Sequence, residues 1–204
     1  ALAEVGKAPV KLLLSQPRDR VQWVNALGAD PVPRLSVQAL PAPLEPVRAA
    51  LAAGDAETAQ RALEQARGSV PPAWFDTLAS AVLLRQGNGA GARALLAPLV
   101  AGTTAPAVGV PVAACLMQAD LQLMDGDSAA AVATLRAGLT RWPGHPALLA
   151  QLARAHLLAD RLDEAATALE GAPTAQPAPS VDIALVRAEL ARRRGDAPGT
   201  LANY

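Results

Sequence analysis

One cysteine and two histidines, Cys115, His145 and His156, are the candidates for nucleophilic or acid–base chemistry in this sequence. A cysteine becomes a strong nucleophile when an imidazole takes its proton and a third group orients that imidazole. Cys115 and His156 fall in neighbouring stretches of similar pattern, but no third group stands out beside either. His145 lies between Gly144 and Pro146, where a turn is expected, and His156 lies on an apolar helical face. Zinc needs ligands at short spacings, which two distant histidines and one cysteine do not provide. The residues therefore point to no catalytic group, no metal and no cofactor.

Two further patterns could hold an anion. Gly87-Asn88-Gly89-Ala90-Gly91-Ala92 follows an apolar run and precedes a helical pattern, fitting the loose glycine signature of a dinucleotide-binding turn. Such a turn needs an acidic residue about 20 positions on to take the ribose hydroxyl. None occurs between Asp76 and Asp120. The loop also falls in phase with a longer repeat, which gives it a structural reading. Arg192-Arg193-Arg194, with Arg187 before it, is the one basic cluster. It reads as a solvated helix end, since cations are favoured near a helix C-terminus and Gly195 marks one. A phosphate or an acidic partner is the functional alternative.

The elements that would position these residues recur. Gly54-Asp55, Gly87-Asn88, Gly126-Asp127, Asp160-Arg161 and Gly195-Asp196 begin 33, 39, 34 and 35 residues apart. Each sits between stretches with helical apolar periodicity, such as Leu148, Leu149, Leu152, Ala153, His156 and Leu157 before Asp160, and Ala165, Ala168 and Leu169 after it. Glycine or aspartate can end the first helix in a left-handed turn, and aspartate or serine can cap the second. The unit is a helical hairpin with a period near 34 residues. Pro143 and Pro177 close two units, because proline cannot continue a helix.

Composition agrees. The chain of 204 residues is 51% hydrophobic, with three Trp, one Tyr and one Phe. Alanine and leucine dominate, and both are strong helix formers, so an all-α fold is expected over a sheet. Eighteen basic residues balance eighteen acidic ones, which removes the net field that nonspecific nucleic-acid or membrane binding requires. With one cysteine there is no internal disulfide, and no run approaches the length of a membrane span. The start at Ala1 suggests a processed or trimmed N-terminus.

These units resemble the tetratricopeptide repeat family. The match is best from Pro146 to Pro177, where Leu149 and Leu152 take the family's large apolar positions, Ala153 its small contact residue and His156 its usual tyrosine. Ala165, Leu169, Ala172 and Pro177 match the second helix and its closing proline. Ala119, Ala131, Leu135, Gly138 and Pro143 fit the preceding unit, with Cys115 where the family favours tryptophan. Ser80, Gly87, Ala92 and Leu96 fit the one before, which runs into an inserted loop from Ala101 to Pro111. Gly54, Ala59, Leu63 and Ala66 mark the earliest unit, whose first helix is shortened by Pro41, Pro43 and Pro46.

The resemblance implies a right-handed α-solenoid of antiparallel helix pairs. Its divisions are a cap, linker or degenerate repeat over 1–39, Trp23 facing the core in the case of a repeat, and then units over 40–72, 73–111, 112–145, 146–180 and 181–204. The last is cut short, which suggests that the chain continues in a longer protein. The first helices are expected to line a concave face that binds a protein or peptide partner. Its proposed lining is Trp74, Leu84, Arg85, Leu116, Asp120, Leu123, Met124, Arg154 and Leu158. The resemblance thus points to a non-enzymatic interaction scaffold of bacterial secretion, polysaccharide export or envelope assembly, with a periplasmic setting favoured over a cytoplasmic one. The alternative is a regulatory or substrate-presenting arm of an enzyme such as a glycosyltransferase or protease. Nucleic acid is disfavoured as a partner, and self-association through the terminal repeat is a further expectation.

Overall fold

The structure, a computed structural model, describes residues 35, 39–101, 111–171 and 181–196. Residues 1–34, the insertion at 102–110, Pro177 and the second helix expected after Asp196 lie outside the described residues, as does Trp23. A 3-10 turn at Ala42–Leu44 leads into helices α1 (Glu45–Ala52), α2 (Ala56–Gln65), α3 (Pro72–Arg85), α4 (Gly89–Ala101) and α5 (Val112–Met124). Then come α6 (Ser128–Arg141), α7 (Pro146–Leu158), α8 (Leu162–Glu170) and α9 (Val181–Arg194). No strand occurs among the described residues. The prolines before α1 leave it 8 residues long, whereas α3 has 14 and α5 has 13.

Each helix packs on its neighbours in sequence, and first helices also pack on the first helix of the next unit, as in α1 on α3, α5 on α7 and α7 on α9. Contacts that reach only adjacent units define a solenoid, in which stability is a sum of local interfaces. The chain is the all-α helical repeat solenoid that its sequence implies. First helices α3 and α5, which belong to the units on either side of the insertion, meet least closely. Trp142 packs on the apolar clusters of the second and third units, and Leu139 and Ala168 join the third to the fourth. The core is therefore continuous from unit to unit.

The recurring dipeptides close every hairpin in one way. Gly54, Gly87, Gly126 and Gly195 have φ between 76° and 81°, and Asp160 adopts φ 61° in the equivalent place. In each turn two amides reach back to orphan carbonyls: Gly126 N–H donates to Leu123 O at 3.0 Å and Asp127 N–H to Gln122 O at 2.9 Å. Asp55, Asn88 and Asp127 then cap the following helix, accepting from Thr58, Gly91 and Ala130 N–H at 2.8 to 2.9 Å.

Small residues let the paired helices approach. Ala59, Ala92, Ala131 and Ala165, each five positions after the left-handed residue, are fully buried on the second helices. Ser80, Ala119, Ala153 and Ala188, each seven positions before it, are fully buried on the first. A Cβ built on Gly138 would already lie 3.3 Å from Leu148 Cδ1 and 3.5 Å from Cys115 Cβ, so α5, α6 and α7 meet there without room for a side chain. Replacing Ala131 or Ala165 with Leu adds three carbons to a closed contact and is expected to cost about 1–3 kcal/mol. Denaturant melts will show this loss, with exposed Glu57→Gln unchanged as the control.

Candidate functional site

The reactive side chains are held in unreactive states. Cys115 is fully buried on α5, and burial pushes its thiol up to about 11 against the opposing pull of Arg141. Such a thiol is protonated at neutral pH, and the thiolate is the nucleophile. His156 is buried on α7, and its pKa is lowered first by burial and then by Arg136, with Glu164 opposing. His145 precedes the first turn of α7, its pKa also lowered by burial. Both shifts favour the neutral imidazole. No group of three or more His, Cys, Asp or Glu among the described residues is arranged to hold a metal ion.

The anion-binding readings meet the same kind of obstacle. At the glycine-rich turn, Gly87 N–H donates to Leu84 O, Asn88 N–H to Leu83 O, and Gly91 N–H to Asn88 Oδ1. The amides that would cradle a phosphate already close the hairpin and cap α4. In the basic run, Arg192 and Arg193 both bind Glu189, and Arg194 binds Asp163 at 2.7 Å. Arg193 also donates to Leu157 O at 2.6 Å. The run ties α9 to the unit before it.

The residues expected to line the groove divide by depth. Trp74, Leu116 and Leu123 are buried in the clusters between helices. Asp120 and Arg154 are buried too, joined through Gln151: its Nε2 donates to Asp120 Oδ1, and Arg154 Nη1 donates to its Oε1 at 3.4 Å. Leu84, Arg85 and Leu158 are half-buried, and Met124 is 44% exposed. The buried members each expose 9% or less, because the neighbouring helices cover them.

Register explains the division. Counted back from the left-handed residue of each hairpin, Arg85, Met124, Leu158 and Arg193 all stand two positions before it. Six positions before it stand Arg48, Ala81, Asp120, Arg154 and Glu189. Arg85 Nη2 donates to Leu51 O at 2.9 Å, as Arg193 does to Leu157 O, and Arg141 at the end of α6 donates to Val100 O at 3.1 Å. Leu51, Val100 and Leu157 are each the penultimate residue of a helix, where carbonyls lack intrahelical partners and the helix dipole is negative. These arginines therefore fasten one unit to the end of the last. The latch roles of Arg141 and Arg193 were missed in the sequence. Their signal was an arginine in the last turn about one period after a helix end.

Residues 122–191 match a tetratricopeptide repeat family model, and residues 73–98 match a second model of the same description. No curated protein matches the sequence. Among solved structures, the fold is similar to that in the crystal structure of PilW, described as a widely conserved type IV pilus biogenesis factor. The TM-score is 0.63 at 22% identity, covering 96% of this chain and 86% of that one. At this identity the likeness is one of fold.

Two consequences of this geometry are measurable. Arg85→Ala removes the donor to Leu51 O and should lower unfolding free energy by about 1.5–3 kcal/mol, the range of charged hydrogen bonds, as read by denaturant titration. At Glu189, burial pushes the carboxyl up, but hydrogen bonds from Arg192 and Arg193 outweigh it and hold the value below the ordinary 4.5. The stabilisation is thus complete above pH 4.5 and is lost as pH falls through the lower folded value. The melting-temperature gap between the parent and Glu189→Gln should narrow below pH 4.5 and hold constant from pH 6 to 7.

Proposed function

Since the chain belongs to the tetratricopeptide repeat family, we propose that it is an interaction scaffold whose first helices bind a segment of a partner protein. The observation that carries this reading is the position of the exposed large apolar side chains. Among the described residues these are Met124 at 44% and Leu185 at 37%, both on first helices. Leu84 and Leu158 are half-buried on two other first helices. Met124 and Leu158 occupy the register position where Arg85 and Arg193 latch neighbouring units. In the third and fourth units the position thus presents a flexible apolar group in place of a latch, which suits an amphipathic helix or an extended segment.

The fold likeness to a pilus biogenesis factor supports envelope assembly as the setting. The partner-binding groove is then formed by Leu84, Met124 and Leu158, with Leu185 extending it along α9. Trp74, Leu116, Asp120, Leu123 and Arg154 support it from beneath, fixing the spacing of the helices that carry it. Binding energy in such interfaces concentrates in a few side chains. The test compares affinity capture from the native cell by the parent, by Met124→Glu/Leu185→Glu and by exposed Glu57→Gln. The expected result is a partner retained by the parent and the control and weakened at least tenfold by the double variant, with melting of all three alike. Equal retention by the double variant would reject the first-helix face.

A further inference from the structure

A second surface lies on the other helices. A cleft of about 320 Å³ opens between α4 and α6, which barely touch, with α5 as its floor. Its rims are the exposed methyl groups of Ala97, Ala101, Ala133 and Ala137, and Gln118, Gln122 and Thr134 lie beneath. Gln118 is only 6% exposed. Its Oε1 and that of Gln122 are buried and have no hydrogen-bond donor among the described residues.

The next unit shows that this cleft belongs to one junction and is no general feature of the fold. In register, α7 carries Leu152 and His156 where α5 carries Gln118 and Gln122, and α6 carries Arg136 and Thr140 where α4 carries Ala97 and Ala101. The positive charge of Arg136 acts on His156, lowering its pKa, so at that junction a long cationic side chain stands on the rim beside the floor. Here alanine leaves the space open, and polar amides stand where the other floor has an apolar side chain and an imidazole.

Three features define what fits. The lining carries no charge, so the occupant is neutral. It carries no aromatic ring on which a sugar or base would stack. Its two carboxamides stand at i and i+4 on a helix, roughly 6 Å apart at 1.5 Å per residue. An extended chain repeats its backbone amides on one side every two residues, roughly 6.6 Å at 3.3 Å per residue. A carboxamide offers one acceptor and a donor group, and a peptide unit offers the complement. Exchange of O and N by rotation of the terminal torsion turns either atom toward the cleft.

We propose that the cleft between α4 and α6 binds a short, uncharged, extended peptide segment, whose alternate backbone amides pair with the side chains of Gln118 and Gln122. Its small side chains lie between the alanine rims. The site is separate from the first-helix groove, so either can fail without the other.

The probe is a capped five-residue peptide of alternating alanine and valine, titrated into the ¹⁵N-labelled chain. Saturable shifts of the Gln118 and Gln122 side-chain amide signals are expected, with a dissociation constant in the millimolar range or below. The same peptide with N-methylated backbone amides should bind at least tenfold more weakly. Ala97→Arg, which copies the next junction, should weaken binding as much while leaving both glutamines and the melting temperature in place. Gln118→Leu/Gln122→Leu should abolish binding, and Ala97→Arg carries the test if that variant fails to fold. The proposal is overturned if no shift saturates, if the N-methylated peptide or Ala97→Arg binds as the parent pair does, or if a neutral trisaccharide reproduces the shifts.

Discussion

Close approach of two helices at an alanine is the constraint on which the rest of this structure depends. Ala59, Ala92, Ala131 and Ala165 on the second helices are fully buried, and so are Ser80, Ala119, Ala153 and Ala188 on the first. A larger group at these places would push the axes apart, because interiors are packed too densely to absorb it. The short turns work only at this spacing. Gly126 and its equivalents bridge the gap with a single left-handed residue, and the two back-bonded amides of each turn have no slack to reach a more distant helix end. Spacing within a unit therefore fixes the turn, and the turn fixes the phase at which the next helix begins.

A solenoid held by apolar faces alone could slide, since alanine and leucine surfaces offer little directional preference. The arginine latches supply direction. Arg85, Arg141 and Arg193 each reach a penultimate carbonyl of an earlier helix, where the dipole is negative and the carbonyl, even when it accepts a turn amide as Leu51 O and Leu157 O do, has a second lone pair to offer. The contact forms only when the next unit is at the right height. The Asp120, Gln151 and Arg154 chain, buried between α5 and α7, adds a second polar register mark. Buried polar groups of this kind specify one arrangement more than they add stability.

The same register positions account for where the surface is free to act. Two residues before the left-handed residue, arginine is engaged with the neighbouring unit, while Met124 stands open to solvent and Leu158 half-open. Binding surface thus arises where a unit omits a structural side chain. The cleft over Gln118 and Gln122 follows the same logic, since Ala97 and Ala101 omit the larger side chains that Arg136 and Thr140 provide one unit later. It lies at the junction where the 39-residue spacing departs from the period and where first helices α3 and α5 meet least closely.

The sequence alone determined the helix class, the hairpin unit and its register, because these rest on local physics: alanine and leucine propensity, a left-handed turn residue, and a capping aspartate or asparagine three residues before the amide it binds. It also determined that Cys115 and His156 would sit in apolar surroundings. It did not determine depth. Trp74, Leu116, Asp120, Leu123 and Arg154 share helical faces with Leu84, Met124 and Leu158, and periodicity cannot say which of them the next unit covers. That depends on how far each first helix shifts along its neighbour, which contacts between residues roughly one period apart decide. The arginine latches belong to the same category: Arg85 and Leu51 are 34 residues apart, and only the stacked structure brings the guanidinium to that carbonyl.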